Sequence, residues 1–220
     1  MNITLPKAVL FDWDDTVVQT GDAVLHAVNQ TLQHFGRPAW TEEEAREHLG
    51  PPARVLFTNL FGEDKWQEAD KVYITSYLAG VKDHIRVYDG IQDVFDLLCE
   101  KETYLAVVSA KRGPVLRQEA EQLSLNHRFS RLIGSGDAVR DKPYAEAVHL
   151  ALEGSGIAPG PDVWFIGDRQ TDMICANNAG CLPVLIRTNP PPDDVLAQYP
   201  PALSFENHAK MLEKFRSLVA

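Results

Sequence analysis

Ala8-Val9-Leu10-Phe11-Asp12-Trp13-Asp14-Asp15-Thr16 is the stretch that decides the fold. Four apolar residues follow one another without alternation and stop at three carboxylates within four positions. A short unbroken apolar run of this kind reads as a strand buried on both faces. The arrangement recurs. Tyr104-Leu105-Ala106-Val107-Val108 leads into Ser109, and Val163-Trp164-Phe165-Ile166 leads through Gly167 into Asp168. Leu182 to Ile186 is a further candidate strand, and Arg131-Leu132-Ile133 a weaker one. Between the runs the period turns helical. Ile91, Val94, Phe95 and Leu98 share a face after a cap at Asp89. Val115 to Leu125 follows Gly113-Pro114, and Tyr144 to Leu152 follows Pro143, a residue favoured at a first helical position. Strands alternating with helices imply an α/β fold, a Rossmann-like parallel sheet with right-handed crossovers. Such sheets bind ligands beyond the carboxyl ends of their strands, where Asp12, Ser109 and Asp168 fall.

Residues from about 18 to 84 break the alternation and are too many for an ordinary strand-to-helix connection. Val24, Leu25, Val28, Leu32 and Phe35 mark one amphipathic helix, and Thr41-Glu42-Glu43-Glu44 reads as a capping box opening another. Val55–Phe61 and Trp66–Leu78 suggest two more. The reading is an inserted all-helical domain over 18–85, with 1–17 and 86–220 forming the core.

The 220 residues carry 31 acidic and 21 basic side chains, a formal charge of -10. That field repels phosphate, so nucleic acid and anionic membranes are poor partners. A chain of this length buries roughly 70% of its unfolded surface and needs no structural disulfide. Cys99, Cys175 and Cys181 cannot all pair and show no C-x-x-C spacing, which fits a reducing compartment. No apolar run approaches a bilayer span. Met1 to Phe11 has no basic region and contains Pro6, unlike a signal peptide. A cytoplasmic location is the expectation, with a monomer and a homodimer equally compatible.

Asp-rich turns are usually solvated. Here a second acidic pair, Asp168 and Asp172, also follows a buried strand and is spaced by one helical turn. If the first strand and the Val163–Ile166 strand are neighbours, Asp12, Asp14, Asp168 and Asp172 converge. Like charges brought together need compensation, and the hard cation suited to oxygen ligands beside a phosphate is Mg²⁺. Ser109, Lys111, Arg112 and the helix start at Gly113-Pro114 offer an anion site. Lys142 adds a point charge at another helix start. Metal, carboxylates and an anion pocket together suit phosphoryl transfer.

Four blocks in order resemble the haloacid dehalogenase superfamily, in its phosphoglycolate-phosphatase-like branch with a helical cap. Asp12-Trp13-Asp14-Asp15-Thr16 resembles D-x-D-x-T, and Val107-Val108-Ser109 the second motif. Lys142-Pro143 resembles the third. Gly167-Asp168-Arg169-Gln170-Thr171-Asp172 resembles G-D-x-x-x-D, continued by Asn178-Ala179-Gly180. The resemblance implies a nucleophilic Asp12 and an Asp14 that serves as acid, then base. It places Mg²⁺ on Asp12, on Asp14 through its carbonyl and on Asp168, with Asp172 orienting Lys142 or a metal-bound water. Ser109, Ala110 and Lys142 correspond to the phosphate-binding positions, and the implied substrate is a small phosphorylated metabolite. Arg54, in the Gly50-Pro51-Pro52-Ala53-Arg54 loop, and Lys111 are candidate substrate contacts. Two departures stand out, Asp15 where Gly is common and Ala110 where Asn is frequent. Arg169 reads as a surface residue rather than a counter-ion. A phosphomutase, or a non-catalytic phosphate-responsive module, are the alternatives; the acid at Asp14 disfavours carbon–halogen cleavage.

Overall fold

The structure is a computed structural model describing residues 3–49 and 53–219. Its strands are β1 (Ala8–Phe11), β2 (Val18–Gln19), β3 (Arg86–Val87), β4 (Tyr104–Arg112), β5 (Arg131–Ser135), β6 (Val163–Gly167), β7 (Leu182–Ile186) and β8 (Leu203–Phe205). Six of them form one sheet in the order β5-β4-β1-β6-β7-β8, parallel throughout. β2 and β3 make a separate two-stranded sheet. β1 lies between β4 and β6, with Phe11 level with Val107 and Ile166. Every residue of β1, β6 and β7 is buried, as unbroken apolar runs require.

Side chains alternate across the sheet. Leu10, Phe165, Ala106 and Val108 join Val148 and Ala151 of α7 (Glu146–Leu152) and Ala176 of α8 (Gln170–Ala179) in one cluster. On the other face Phe11 meets Phe95 of α5 (Ile91–Glu100) edge-on at 5.3 Å. There too Trp164 stacks on Phe215 of α10 (His208–Val219) at 5.1 Å. Helices on both faces complete the Rossmann-like α/β architecture.

The chain divides into two compact units, Met1–Gln19 with Val87–Ala220, and Thr20–Arg86. The second unit holds α1 (Gly21–His34), α2 (Glu42–His48), α3 (Ala53–Phe61) and α4 (Trp66–His84). Thr41 and Glu44 form the capping box at α2 reciprocally. Leu56, Phe57 and Ala69 centre its apolar cluster, with Phe35 stacked on Phe61 at 4.3 Å.

Several elements differ from the sequence expectation. The buried face of α1 is Ala23, Ala27, Val28, Thr31 and Leu32. Val24 and Leu25 are only partly covered, because the small residues permit close approach to α4. α4 runs six residues beyond Leu78. Gly90, at φ 80, caps α5 in place of Asp89, with no side-chain cap; the left-handed turn suits glycine. β4 continues past Ser109 to Arg112 because, after an irregularity, Arg112 pairs with Ser135 of β5. α6 (Gly113–Gln122) stops short of Leu125, with Ser124 at φ 57. α7 begins at Glu146, not after Pro143, since residues 141–144 close a turn through Tyr144 N–H and the Asp141 carbonyl. β8, α9 (Asp193–Leu196) and α10 were not expected.

His208, the first residue of α10, is buried against Tyr88 and sits with Nε2 2.8 Å from the Thr16 carbonyl, so this nitrogen carries the proton and donates. Burial holds its pKa below the ordinary value and the Thr16 contact only partly offsets it. The unfolded chain therefore takes up this proton more readily, and stability is lost as pH falls through the range near 6.5. His208→Gln, which still donates to Thr16, should shrink the drop in urea midpoint between pH 7 and pH 5.

Candidate active site

The register of β1, β4 and β6 brings three strand ends to one level, and the Asp12 N–H continues the ladder by donating to the Ile166 carbonyl at 2.8 Å. Asp12, Asp168 and Asp172 are all buried, and their oxygens lie within 4.8 Å of one another. Lys142 reaches into this group. Its Nζ donates to Asp12 Oδ1 at 2.7 Å and to Asp172 Oδ1 at 2.6 Å, with 3% of its side chain exposed. Asp172 sits in the first turn of α8, so its other oxygen turns back to accept the Arg169 N–H at 2.9 Å. That is the acceptor half of a capping box, and it fixes the carboxylate facing Lys142. Asn178 ties the Lys142 loop down by donating to the Pro143 carbonyl at 2.8 Å. Gly167 is required by proximity, since a Cβ there would overlap the Asp172 side chain.

Burial pushes the Asp12 carboxyl up to about 7, with Lys142 opposing and Asp172 adding to the rise. Asp168 is pushed up to about 8 by burial, then by Asp12 and Asp172. For Lys142 burial acts downward, but Asp12 and Asp172 outweigh it and hold the ammonium above the usual lysine range. Three buried carboxylates against one buried ammonium leave a deficit of positive charge at a donor set made entirely of oxygen. A hard divalent cation such as Mg²⁺ fits it. Asp172, with both oxygens engaged, is placed to orient Lys142.

Asp14 points elsewhere. Its carboxylate lies outside the Asp12–Asp168–Asp172 cluster and faces Lys111, whose Nζ is 2.8 Å from Asp14 Oδ1 and 2.5 Å from Glu119 Oε2. Lys111, expected at the substrate, is thus held in a largely buried ion-pair chain. Glu119 was not singled out from the sequence, although a lone acid among Val115, Leu116 and Ala120 on the buried face of α6 was the available signal. Trp13 packs its ring on Phe129 and donates Nε1–H to Glu119 Oε1 at 2.7 Å. Ser109 is buried, its Oγ accepting the Lys111 N–H at 3.2 Å, while Ala110 is exposed. Arg169 is a counter-ion after all, with Nε 3.0 Å from Asp168 Oδ2 and Nη2 3.5 Å from Asp15, though half exposed. Thr16, the last residue of the D-x-D-x-T block and given no role there, is buried and reaches Asp168 Oδ1 at 3.4 Å. Asp15 adopts φ 56, a left-handed conformation that explains glycine as the common residue and that aspartate tolerates. Asn189 and Thr188 bond to it. Arg54 lies in the helical unit, paired with Glu63 at 3.2 Å and over the Trp66 ring. Residues 50–52 of its loop are outside the described residues.

A sheet of this order, with an acid after β1, a serine on β4, a lysine in the loop before α7 and two acids around the start of α8, defines a hydrolase class. A family model described as haloacid dehalogenase-like hydrolase matches residues 9–186, and the chain belongs to that family. It is 28% identical to a phosphoglycolate phosphatase of Chromobacterium violaceum, over 84% of this chain and 87% of that one. It is 26% identical to pyrophosphatase PpaX of Anoxybacillus flavithermus, over 96% of each. The fold matches a solved structure of a predicted phosphoglycolate phosphatase from Haemophilus somnus with a TM-score of 0.82 at 24% identity, covering 97% and 99% of the two chains. No helix among the described residues is long and apolar enough to cross a membrane.

Gly167→Ala should push Asp172 off Lys142 and cost roughly 10²-fold in turnover, the scale of a displacement near 1 Å at a reacting centre; steady-state kinetics with a thermal melt checks it. Protons and metal compete for the raised carboxyls of Asp12 and Asp168. Added Mg²⁺ should therefore raise the melting temperature more at pH 8 than at pH 5.5, and Asp168→Asn should remove the difference.

Proposed function

We propose that the protein is a Mg²⁺-dependent phosphatase that hydrolyses a small phosphorylated metabolite, of phosphoglycolate or sugar phosphate type, through an aspartyl-phosphate on Asp12. The observation that carries this reading is Lys142 bridging Asp12 and Asp172 with Asp168 in the same cluster. A carboxylate can meet a phosphate dianion only where positive charge offsets the repulsion. Asp12, Asp168 and the Asp14 carbonyl would hold Mg²⁺, which when bound would supply positive charge beside Lys142.

Asp12, anchored at the end of β1, has one oxygen on Lys142, leaving the other to attack phosphorus. As the Asp12–phosphorus bond forms, the bond to the leaving oxygen breaks and Asp14 gives that oxygen a proton. Asp14 then takes a proton from water as the water attacks phosphorus. The Asp12–phosphorus bond breaks, inorganic phosphate leaves, and both aspartates return to their starting states. Lys142 and Ser109 hold the phosphoryl oxygens. Asp172 keeps Lys142 in place, and breaking such a buried pair costs about 3–5 kcal/mol. The similarity to phosphatases of both alcohol phosphates and pyrophosphate supports the shared phosphoryl chemistry.

Hydrolysis of p-nitrophenyl phosphate, phosphoglycolate and pyrophosphate with and without Mg²⁺ tests the reading. Turnover should vanish with EDTA, return with Mg²⁺, and fall by at least about 10³-fold in Asp12→Asn. Activity surviving either change would overturn it.

A further inference from the structure

We propose that Lys111 and Glu119 are positioning residues for Asp14, fixing the direction in which its carboxylate presents a proton; this rests on Asp14 being the proton carrier. Two ammonium groups divide the acids of the first loop between them. Lys142 joins Asp12 to the buried Asp172 of α8. Lys111 hydrogen-bonds the buried Glu119 of α6 and forms an ion pair with Asp14, its Nζ 2.8 Å from Oδ1. The first clamp serves the nucleophile, and the second has no part in the phosphoryl chemistry assigned above.

The second clamp is rigid at one end and adjustable at the other. Glu119 has no exposed surface, sits on α6 among Leu116 and Ala120, and is tied by its second oxygen to the Trp13 indole. Trp13 is itself fully buried, with its ring against Phe129. The Lys111 side chain, 9% exposed, is therefore held from a fixed point. Asp14 is 36% exposed, and a carboxylate that open to water would otherwise sample several rotamers. A proton can pass only when the heavy atoms are about 2.6–3.2 Å apart, so orientation sets how often Asp14 is competent. A lysine serving stability alone would need only Glu119. This one spends its second contact on the half-exposed acid beside the reacting centre. As the phosphorus–oxygen bond breaks, the proton moves from the Asp14 carboxyl to the departing oxygen, and Lys111 keeps the carboxyl aimed there.

The step affected is proton delivery, so the effect depends on the leaving group. An alkoxide needs the proton, whereas p-nitrophenolate departs with little help. The test compares kcat/KM for a primary alkyl phosphate and for p-nitrophenyl phosphate, with saturating Mg²⁺, in the wild type, Asp14→Asn and the charge-balanced pair Lys111→Met/Glu119→Gln. The pair should lose about 10- to 100-fold more on the alkyl ester than on the aryl ester, a share of the 10²–10⁴ that proton transfer supplies. Asp14→Asn should show the same selectivity, more strongly. Equal losses on both esters in the pair, with a selective Asp14→Asn, would overturn the inference and leave the phosphatase reading standing. A non-selective Asp14→Asn would overturn the acid assignment and the inference with it. Should the pair not fold, Glu119→Gln alone, which keeps an oxygen for Trp13, is read the same way, with several-fold selectivity expected and none overturning the proposal.

Discussion

An ammonium inside the protein, shared by two carboxylates, is the interaction on which the site depends. Without Lys142, Asp12 and Asp172 would face each other and Asp168 across less than 5 Å with no ammonium between them, and burial would favour their protonated forms. Placing β1 between β4 and β6 gathers the acids beyond the carboxyl ends of the central strands, while the loop before α7 and the first turn of α8 supply the compensating lysine and its support. The constraint is electrostatic, and the apolar strands are what hold the charges in register.

A second ion-pair chain lies beside the first and changes how the Asp12-Trp13-Asp14 tripeptide reads. Successive residues after a strand point in different directions, and here each of the three is claimed by a different partner: Asp12 by Lys142, Trp13 by Glu119, Asp14 by Lys111. One acid is directed at the cluster with Asp168 and Asp172 and the other away from it. Two carboxylates two residues apart acquire distinct surroundings without any difference in their chemistry.

Much of this was legible from the chain. Unbroken apolar runs at Ala8, Val163 and Leu182 are legible because strands buried on both faces leave no room for polar residues. The Thr41–Glu44 box was legible because its bonds are local. What escaped depends on contacts distant in sequence. The extension of β4 to Arg112 is decided by its pairing with Ser135, which no local pattern records. The partner of Asp14 is Lys111, almost a hundred residues away, and a lysine two residues past a strand serine reads as a substrate contact. Arg169 likewise looked like a surface residue because half of it is. The last helix is a different case. His208, Met211, Leu212 and Phe215 carry a helical period, a local pattern that the chain itself displays.

Trp13 gives the molecule an optical property. Its indole is shielded from solvent, hydrogen-bonded to a carboxylate, and covalently adjacent to both aspartates of the first loop. Indole emission responds to nearby charge and to the strength of that hydrogen bond. One of the chain's four tryptophans is therefore set between the two aspartates of the first loop, where a change of charge on either neighbour would reach its emission without any attached label.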